Sequence, residues 1–386
     1  MAKKKIERQQ IAKTDWKSTF TLVGTPKISD FTFKMNEVSS KNSSYTYHRM
    51  RLGVDCGSSG IVYCDMNGGY DTSNPYPIRL ASKDDPTKQV EINWEDRFDE
   101  DALDSVADYA KIQVALKLNK NGKPVYEYFL HEYDAIAYIQ QYLTDKTIVR
   151  VGGQLKWSMY NDKVSVTKKV NRISLVVTEN PKCEATFSQS VLLDKNSIDT
   201  KSIDYEKNAA FLSTRILEYT RFLGDVEIAG QYPYPYTFEL RAKTSQLLDG
   251  ILSHYCKVKK NITQINFNGK IFEGGATDKP TIDNLSDDLK WEISVGLTTV
   301  EEALGSYAAV TRSVGNNETR LILTMPMMIS DENNKGARAV YPDRYTEDDL
   351  SFDWLNQDDE NEVQESTAVA SDNVDEEDLS WLNLND

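Results

Sequence analysis

Taken every second residue, the segment Tyr45-Thr46-Tyr47-His48-Arg49-Met50-Arg51-Leu52-Gly53-Val54 separates into two unlike rows. One is Tyr45, Tyr47, Arg49 and Arg51; the other contains Met50, Leu52 and Val54. Side chains of an extended chain alternate between faces, so the pattern predicts a half-buried strand. Its apolar row enters a core, and its solvent row displays two aromatic rings beside two guanidiniums. Strand-like runs at residues 20–23, 31–35 and 61–66 flank it, separated by Gly, Pro, Asn and Ser clusters that fit turns.

The same reading extends along the chain. An acidic insertion at residues 96–108 precedes a hairpin, 111–118 to 125–129, turning at Asn121-Gly122. Ile136, Ile139 and Leu143 fall at helical spacing with Tyr133 and predict a helix over 130–143. A strand pair follows. Residues 149–160 place Val149, Val151, Leu155, Trp157 and Met159 on one row and Arg150, Gln154, Lys156 and Tyr160 on the other; the strand returns through 163–177. Trp157 is read as core. Lys163, Lys168, Lys169 and Arg172 form a basic cluster expected at the mouth of a groove, and Gly152-Gly153 permits a sharp bend or bulge. Further on, the pattern suggests a helix across 205–223, a rigid extended loop at Pro233-Tyr234-Pro235-Tyr236, strands at 237–241, 262–267 and 321–325, and a helix near 299–309. The expected fold class is mainly β with interspersed helices.

Charge divides the chain more sharply than fold does. The 386 residues carry 45 Lys and Arg against 60 Asp and Glu, a net charge of -15. Residues 346–386 hold 15 acidic residues and no Lys or Arg, so residues 1–345 are neutral overall. A neutral body with basic patches is compatible with a polyanionic partner despite the acidic total. The expected organisation is a basic arm at 1–17, a β-rich region at 18–129, strands with helical elaborations at 130–345, and a disordered acidic tail at 346–386. Within the tail, Asp349-Leu350-Ser351-Phe352-Asp353-Trp354-Leu355-Asn356 and Asp378-Leu379-Ser380-Trp381-Leu382-Asn383 are related. Leu350, Phe352, Trp354, Leu355, Leu379, Trp381 and Leu382 are expected to fill an apolar pocket rimmed by basic residues on another protein.

Several function classes find no support in these residues. No run of 18 apolar residues is present, and the N-terminal segment lacks the apolar stretch of a signal peptide, so a soluble cytoplasmic protein is expected. Cys56, Cys64, Cys183 and Cys256 are too dispersed for a disulfide framework and are read as reduced thiols. Gly57-Ser58-Ser59-Gly60 lacks the Lys-Ser/Thr continuation of a phosphate cradle and is read as a turn. His48, Cys56 and Cys64 have no paired ligand spacing. No nucleophile, base and orienter can be nominated together, so neither catalysis, metal nor cofactor is expected.

The helix at 130–143, followed by Val151-Gly152-Gly153-Gln154-Leu155-Lys156-Trp157, a hairpin and Lys169-Val170-Asn171-Arg172-Ile173, resembles the oligonucleotide/oligosaccharide-binding (OB) fold of single-stranded-DNA-binding proteins, in the form carried by tailed-phage replication modules. A second such unit is expected at 18–80. The acidic tail is similar to those of bacterial and phage single-strand-binding proteins. The resemblance implies an OB-like barrel core that coats single-stranded DNA during replication, recombination or repair, in the host cytoplasm if phage-encoded, and recruits replication or recombination proteins through its tail. Tyr45, Tyr47 and Tyr160 become candidate stacking platforms, and Arg49, Arg51, Arg150, Lys156, Lys163, Lys168, Lys169 and Arg172 candidate phosphate contacts. The competing reading is a β-rich structural or adaptor protein that docks through its Trp-Leu repeats. Removing residues 346–386 is expected to tighten nonspecific single-strand binding at low salt, because the flexible acidic tail competes with phosphate for the body's cations. A salt titration showing unchanged affinity contradicts that competition.

Overall fold

The structure is a computed structural model that describes residues 15–39, 44–82, 88–160, 163–223, 226–273, 287–300, 319–329 and 336–351. Its first strands are β1 (Ser18–Lys27), β2 (Phe33–Val38), β3 (Tyr45–Asp55) and β4 (Ile61–Asp71). An insertion follows, built from β5 (Ile78–Ala81), β6 (Gln89–Ile92), a short helix α1 (Glu100–Ser105), β7 (Ile112–Leu118) and β8 (Pro124–Phe129). Then come α2 (Glu132–Tyr142) and the hairpin of β9 (Val149–Tyr160) with β10 (Lys163–Leu175).

Pairing closes five of these strands into a ring. The order is β1–β3–β4–β10–β9 and back to β1, antiparallel throughout except for the parallel β4–β10 contact at Asp65 and Lys169. A helix lies between the third and fourth ring strands in the chain. This is OB topology. Residues 18–80 and 130–177, expected as two units, instead supply three and two strands to one barrel. The two contacts that unite them, β4 with β10 and β1 with β9, join residues more than about a hundred positions apart in sequence, which no local pattern displays.

A second barrel repeats the plan. It contains β11 (Glu184–Leu193), β12 (Ala209–Leu223), β13 (Val226–Arg241), helix α3 (Ser245–His254), β14 (Ile262–Glu273) and β15 (Thr319–Pro326). Its ring runs β11–β12–β13–β15–β14 and back to β11, and again only the third-to-fifth contact, Glu239 with Ile322, is parallel. The helix expected across 205–223 is therefore a strand. Ala210, Leu212 and Ile216 are buried on alternate positions, while Phe211 is exposed between them. A long ladder, from Ala209 opposite Arg241 to Leu223 opposite Val226, outweighs the Leu- and Ala-rich local composition. The expected Pro-Tyr-Pro-Tyr loop is part of β13, where Pro233 and Pro235 face Leu217 and Arg215. At alternate positions both prolines withhold an N–H from the same edge, so the ladder to β12 survives on the other. The helix expected near 299–309 falls almost wholly outside the described residues, as do residues 1–14 of the basic arm.

The two barrels meet strand to strand. β1 pairs antiparallel with β11 from Ser18 opposite Gln189 to Val23 opposite Glu184, while its other edge pairs with β9. Buried Trp157 donates its indole N–H to Gln189 Oε1 at 3.1 Å, and its ring meets those of Tyr236 and Phe238 edge-on. The core reading of Trp157 thus gains a polar partner. Ser59, in the Gly57–Ser59 turn, accepts the Ala185 N–H on β11 at 3.2 Å.

Lys168 corrects the sequence reading of the basic cluster. It occupies the inward row of β10 with Val164, Val166 and Val170, is 5% exposed, and places its ammonium 2.9 Å from Glu273 at the end of β14. It joins the barrels instead of facing solvent. Breaking a buried pair by removing one partner strands the other charge, at a cost of about 3–5 kcal/mol. Lys168→Ala is therefore expected to lower unfolding free energy by about that amount in denaturant melts, with Lys168→Met/Glu273→Leu far milder. A fully stable Lys168→Ala that loses nucleic-acid binding contradicts this placement.

Candidate nucleic-acid interface

β3 folds as its alternation requires. His48, Met50, Leu52 and Val54 are buried, whereas Tyr45, Arg49 and Arg51 are exposed and Tyr47 is partly exposed. β4 continues the division, with Val62, Cys64 and Met66 inside and Tyr63, Asp65, Asn67 and Gly69 outside. Register sets Lys34, Arg49 and Asn67 side by side across β2, β3 and β4. Arg51 lies over the Tyr63 ring at 5.5 Å, a cation–π contact that leaves the opposite face of the guanidinium available. Lys34, Arg49 and Arg51 form no ion pair among the described residues. Tyr47 and Tyr45 sit close over Gly69, where any Cβ collides with the Tyr47 Cβ and the Tyr45 ring. The glycine leaves room for the Tyr45 ring and the Tyr47 Cβ against the sheet.

At Tyr45 this open face enters a groove of about 750 Å³. Barrel residues Tyr45, Gln154, Lys156, Lys169 and Asn171 form one side, and Tyr76, Arg79 and Lys111 of the insertion form the other. Tyr76 is 72% exposed, the most accessible ring of the groove. Trp94 anchors the insertion wall, stacked on Tyr70 at 4.3 Å and covered by Arg97, which pairs with Asp134 at 2.9 Å. A bulge in β10 between Val170 and Arg172 turns both Asn171 and Arg172 outward. Gly153 faces it, and a Cβ there collides with the Lys169 carbonyl. The expected irregularity at Gly152-Gly153 is thus present, with the extra residue on the partner strand.

Two groove lysines already hold carboxylates. Lys169 lies 2.8 Å from Glu132 in the first turn of α2, and Lys156 lies 3.6 Å from Glu218. Burial opposes ionisation of Glu132, yet the Lys169 ammonium, its hydrogen bond and a backbone N–H hold the carboxyl below the ordinary range. Burial pushes the neighbouring His131 imidazole below its usual value, against the pull of Glu132 and Asp134, and its Nδ1 accepts the Tyr133 N–H as the helix cap.

The sequence-predicted residues fall into three groups. Tyr45, Tyr47, Arg49 and Arg51 share one row, and Lys156 and Lys169 join Tyr45 in the groove. Arg150 and Arg172 are exposed on β9 and β10 away from the groove lining, and Lys163 is exposed at the hairpin tip. There its backbone pairs with Tyr160, whose side chain lies outside the described residues. Lys168 is buried. In the tail, Leu350 ends a single helical turn, Glu347–Leu350, closed by a Thr346/Asp349 capping box, and is itself buried. Phe352, Trp354, Leu355, Leu379, Trp381 and Leu382 lie outside the described residues. Sequence reasoning missed Lys34, Tyr63 and Asn67, which the alternation of β2 and β4 displays, and Tyr76, which no local pattern marks.

His48 is a core residue. It stacks on Tyr133 at 3.6 Å with its Nδ1 2.8 Å from the Tyr133 carbonyl oxygen. Burial pushes the Cys56 and Cys256 thiols up to about 12. No cluster of three His, Cys, Asp or Glu side chains suited to a metal occurs among the described residues, and no helix among them is long and apolar enough to cross a membrane.

No family model and no curated protein matches the sequence. Among solved structures, the chain is similar to wild-type single-stranded DNA binding protein from Thermus aquaticus at 10% identity and a TM-score of 0.29, over 66% of this chain and 84% of that one. A deletion mutant of the same protein gives 9% identity and a TM-score of 0.27, over 66% and 86%. The N-terminal domain of PriB from Thermoanaerobacter tencongensis gives 16% and 0.15, over 42% and 98%. Likeness at this level adds nothing to the assignment, and the OB fold rests on strand order, the parallel contact and helix placement.

A depressed carboxylate stabilises the fold above its unfolded pKa and loses that contribution as pH falls through its folded value. Glu132→Gln is accordingly expected to lower the Tm near neutral pH, with the deficit closing as pH drops below the ordinary glutamate value of 4.5. A deficit constant across that range in thermal melts contradicts the role of the charge.

Proposed function

We propose that this chain binds single-stranded DNA without catalysis, along a track formed by the solvent row of β3 and the groove of the first barrel. The observation that carries the reading is that row: Tyr45, Tyr47, Arg49 and Arg51 side by side, entering a groove that holds Lys156 and Lys169. Bases present flat faces that stack on rings whatever their sequence, and phosphates need cations at a similar spacing. A duplex hides its base faces, so exposed rings favour an unpaired strand. The setting in phage-type replication or recombination, and recruitment of proteins of those processes by the acidic tail, rest on the sequence resemblance.

The test is an anisotropy titration of labelled oligo-dT at several salt concentrations. The wild-type chain is expected to bind at low salt and weaken steeply as salt rises. Arg49→Ala/Arg51→Ala is expected to flatten the plot of log affinity against log salt by about 0.7 per lost contact. Tyr45→Ala and Tyr47→Ala are each expected to lose about 1–3 kcal/mol with the slope unchanged. Absence of binding at low salt supports the structural or adaptor reading instead.

A further inference from the structure

A second cavity, of about 520 Å³, opens beside α3 on the other barrel and shares no residue with the DNA track. Its floor is apolar, formed by Ile198, Ile203, Leu252 and Val258, and Lys195 and Lys257 stand at its rim. Lys257 begins the run Lys257-Val258-Lys259-Lys260, in which all three lysines are exposed. None of these lysines, nor Lys195, forms an ion pair among the described residues. Of the two carboxylates in the lining, Asp194 pairs with Arg215 at 2.8 Å, and the Asp249 carboxylate raises the pKa of the nearby Tyr205 phenol. With Asp194 paired, Lys195 and Lys257 against Asp249 leave the lining net positive around a space suited to an aromatic or leucine side chain.

The chain itself contains a segment of complementary chemistry. Residues 352–386 carry Trp354-Leu355 and Trp381-Leu382, each beside carboxylates, with no Lys or Arg. We propose that a Trp-Leu motif of one copy docks in the α3 pocket of a second copy, linking neighbouring molecules. Two features favour a second copy. The motif occurs twice in each chain and this pocket once, so a chain that satisfied its own pocket would still offer a motif to a neighbour. Length also suffices: the 30 residues from Ser351 to Trp381 span up to about 100 Å extended, and a flexible tether of that length has an r.m.s. reach of about 30 Å. Between molecules bound side by side on one strand, such tethers act at high effective concentration, so docking confers cooperative coverage. The pocket lies outside the track, so a docked motif leaves the DNA-binding residues uncovered.

The proposal stands independently of DNA binding and is tested without DNA, by sedimentation of two full-length variants. Trp354→Ala/Trp381→Ala keeps the pocket and lacks the motifs; Lys195→Glu/Lys257→Glu keeps the motifs and reverses the rim. Lys195 and Lys257 are exposed, and unchanged thermal melts verify folding of both variants. Wild type is expected to self-associate, less strongly as salt rises, and each variant alone is expected to associate at least tenfold more weakly. A mixture of the two variants is expected to recover association between them, since each supplies what the other lacks. Failure of wild type to self-associate, or of the mixture to associate, overturns the proposal; an excess of monomer in which tryptophan emission still responds to Lys195→Glu/Lys257→Glu assigns docking within one chain and equally overturns it.

Discussion

The antiparallel ladder between β1 and β11 is the contact on which the rest of the body depends. Each is the first strand of its own barrel, and each already pairs with a strand on its other edge, β9 for β1 and β14 for β11. The joint is therefore continuous sheet and leaves neither first strand with a free edge along these residues. Gln189, in the terminal pair of the ladder opposite Ser18, has no exposure. Its Oε1 accepts from Trp157 Nε1 and from Ser18 Oγ, and its Nε2 donates to the Ser190 carbonyl. An indole N–H left unpartnered at that depth costs about 1–3 kcal/mol, so this one amide decides whether an aromatic can be buried between the barrels.

That joint determines where a ligand surface is possible. With β1 and β9 committed to the second barrel on one side, the accessible wall of the first barrel is the β2–β3–β4 face and the outward row of β10. The insertion between β4 and α2 then walls one end of this surface, through Trp94 stacked on Tyr70 and Arg97 paired with Asp134. Lys168 with Glu273, and Ser59 with Ala185, add two further ties between the barrels. A rigid base beneath Tyr45 and Tyr47 is what an aromatic platform needs, because ordering mobile rings at the moment of binding costs affinity.

Much of the proposed track is visible in the sequence because it lies on one strand and obeys period two. Tyr45, Tyr47, Arg49 and Arg51 needed no tertiary information, and the same rule applied to β4 yields Tyr63 and Asn67. The rule also places Lys168 on the valine row of β10; reading it by charge, as a neighbour of Lys169, put it on the wrong face. Other features were not legible. The parallel contact of Asp65 with Lys169 joins distant segments, and the strand character of β12 comes from its ladder with β13, whose local Leu and Ala content suggests a helix. Tyr76 enters the groove only because the insertion folds back over the barrel, a placement set by packing around Trp94.

Zero-length ultraviolet crosslinking of the full chain to oligo-dT, mapped by mass spectrometry, reports which rings touch bases and so decides whether the β3 row and the groove carry a single strand. Adducts are expected at Tyr45 and Tyr47 on β3 and at Tyr76 across the groove, lost in high salt. Adducts confined to the second barrel, with none on β3 or in the groove, contradict that role.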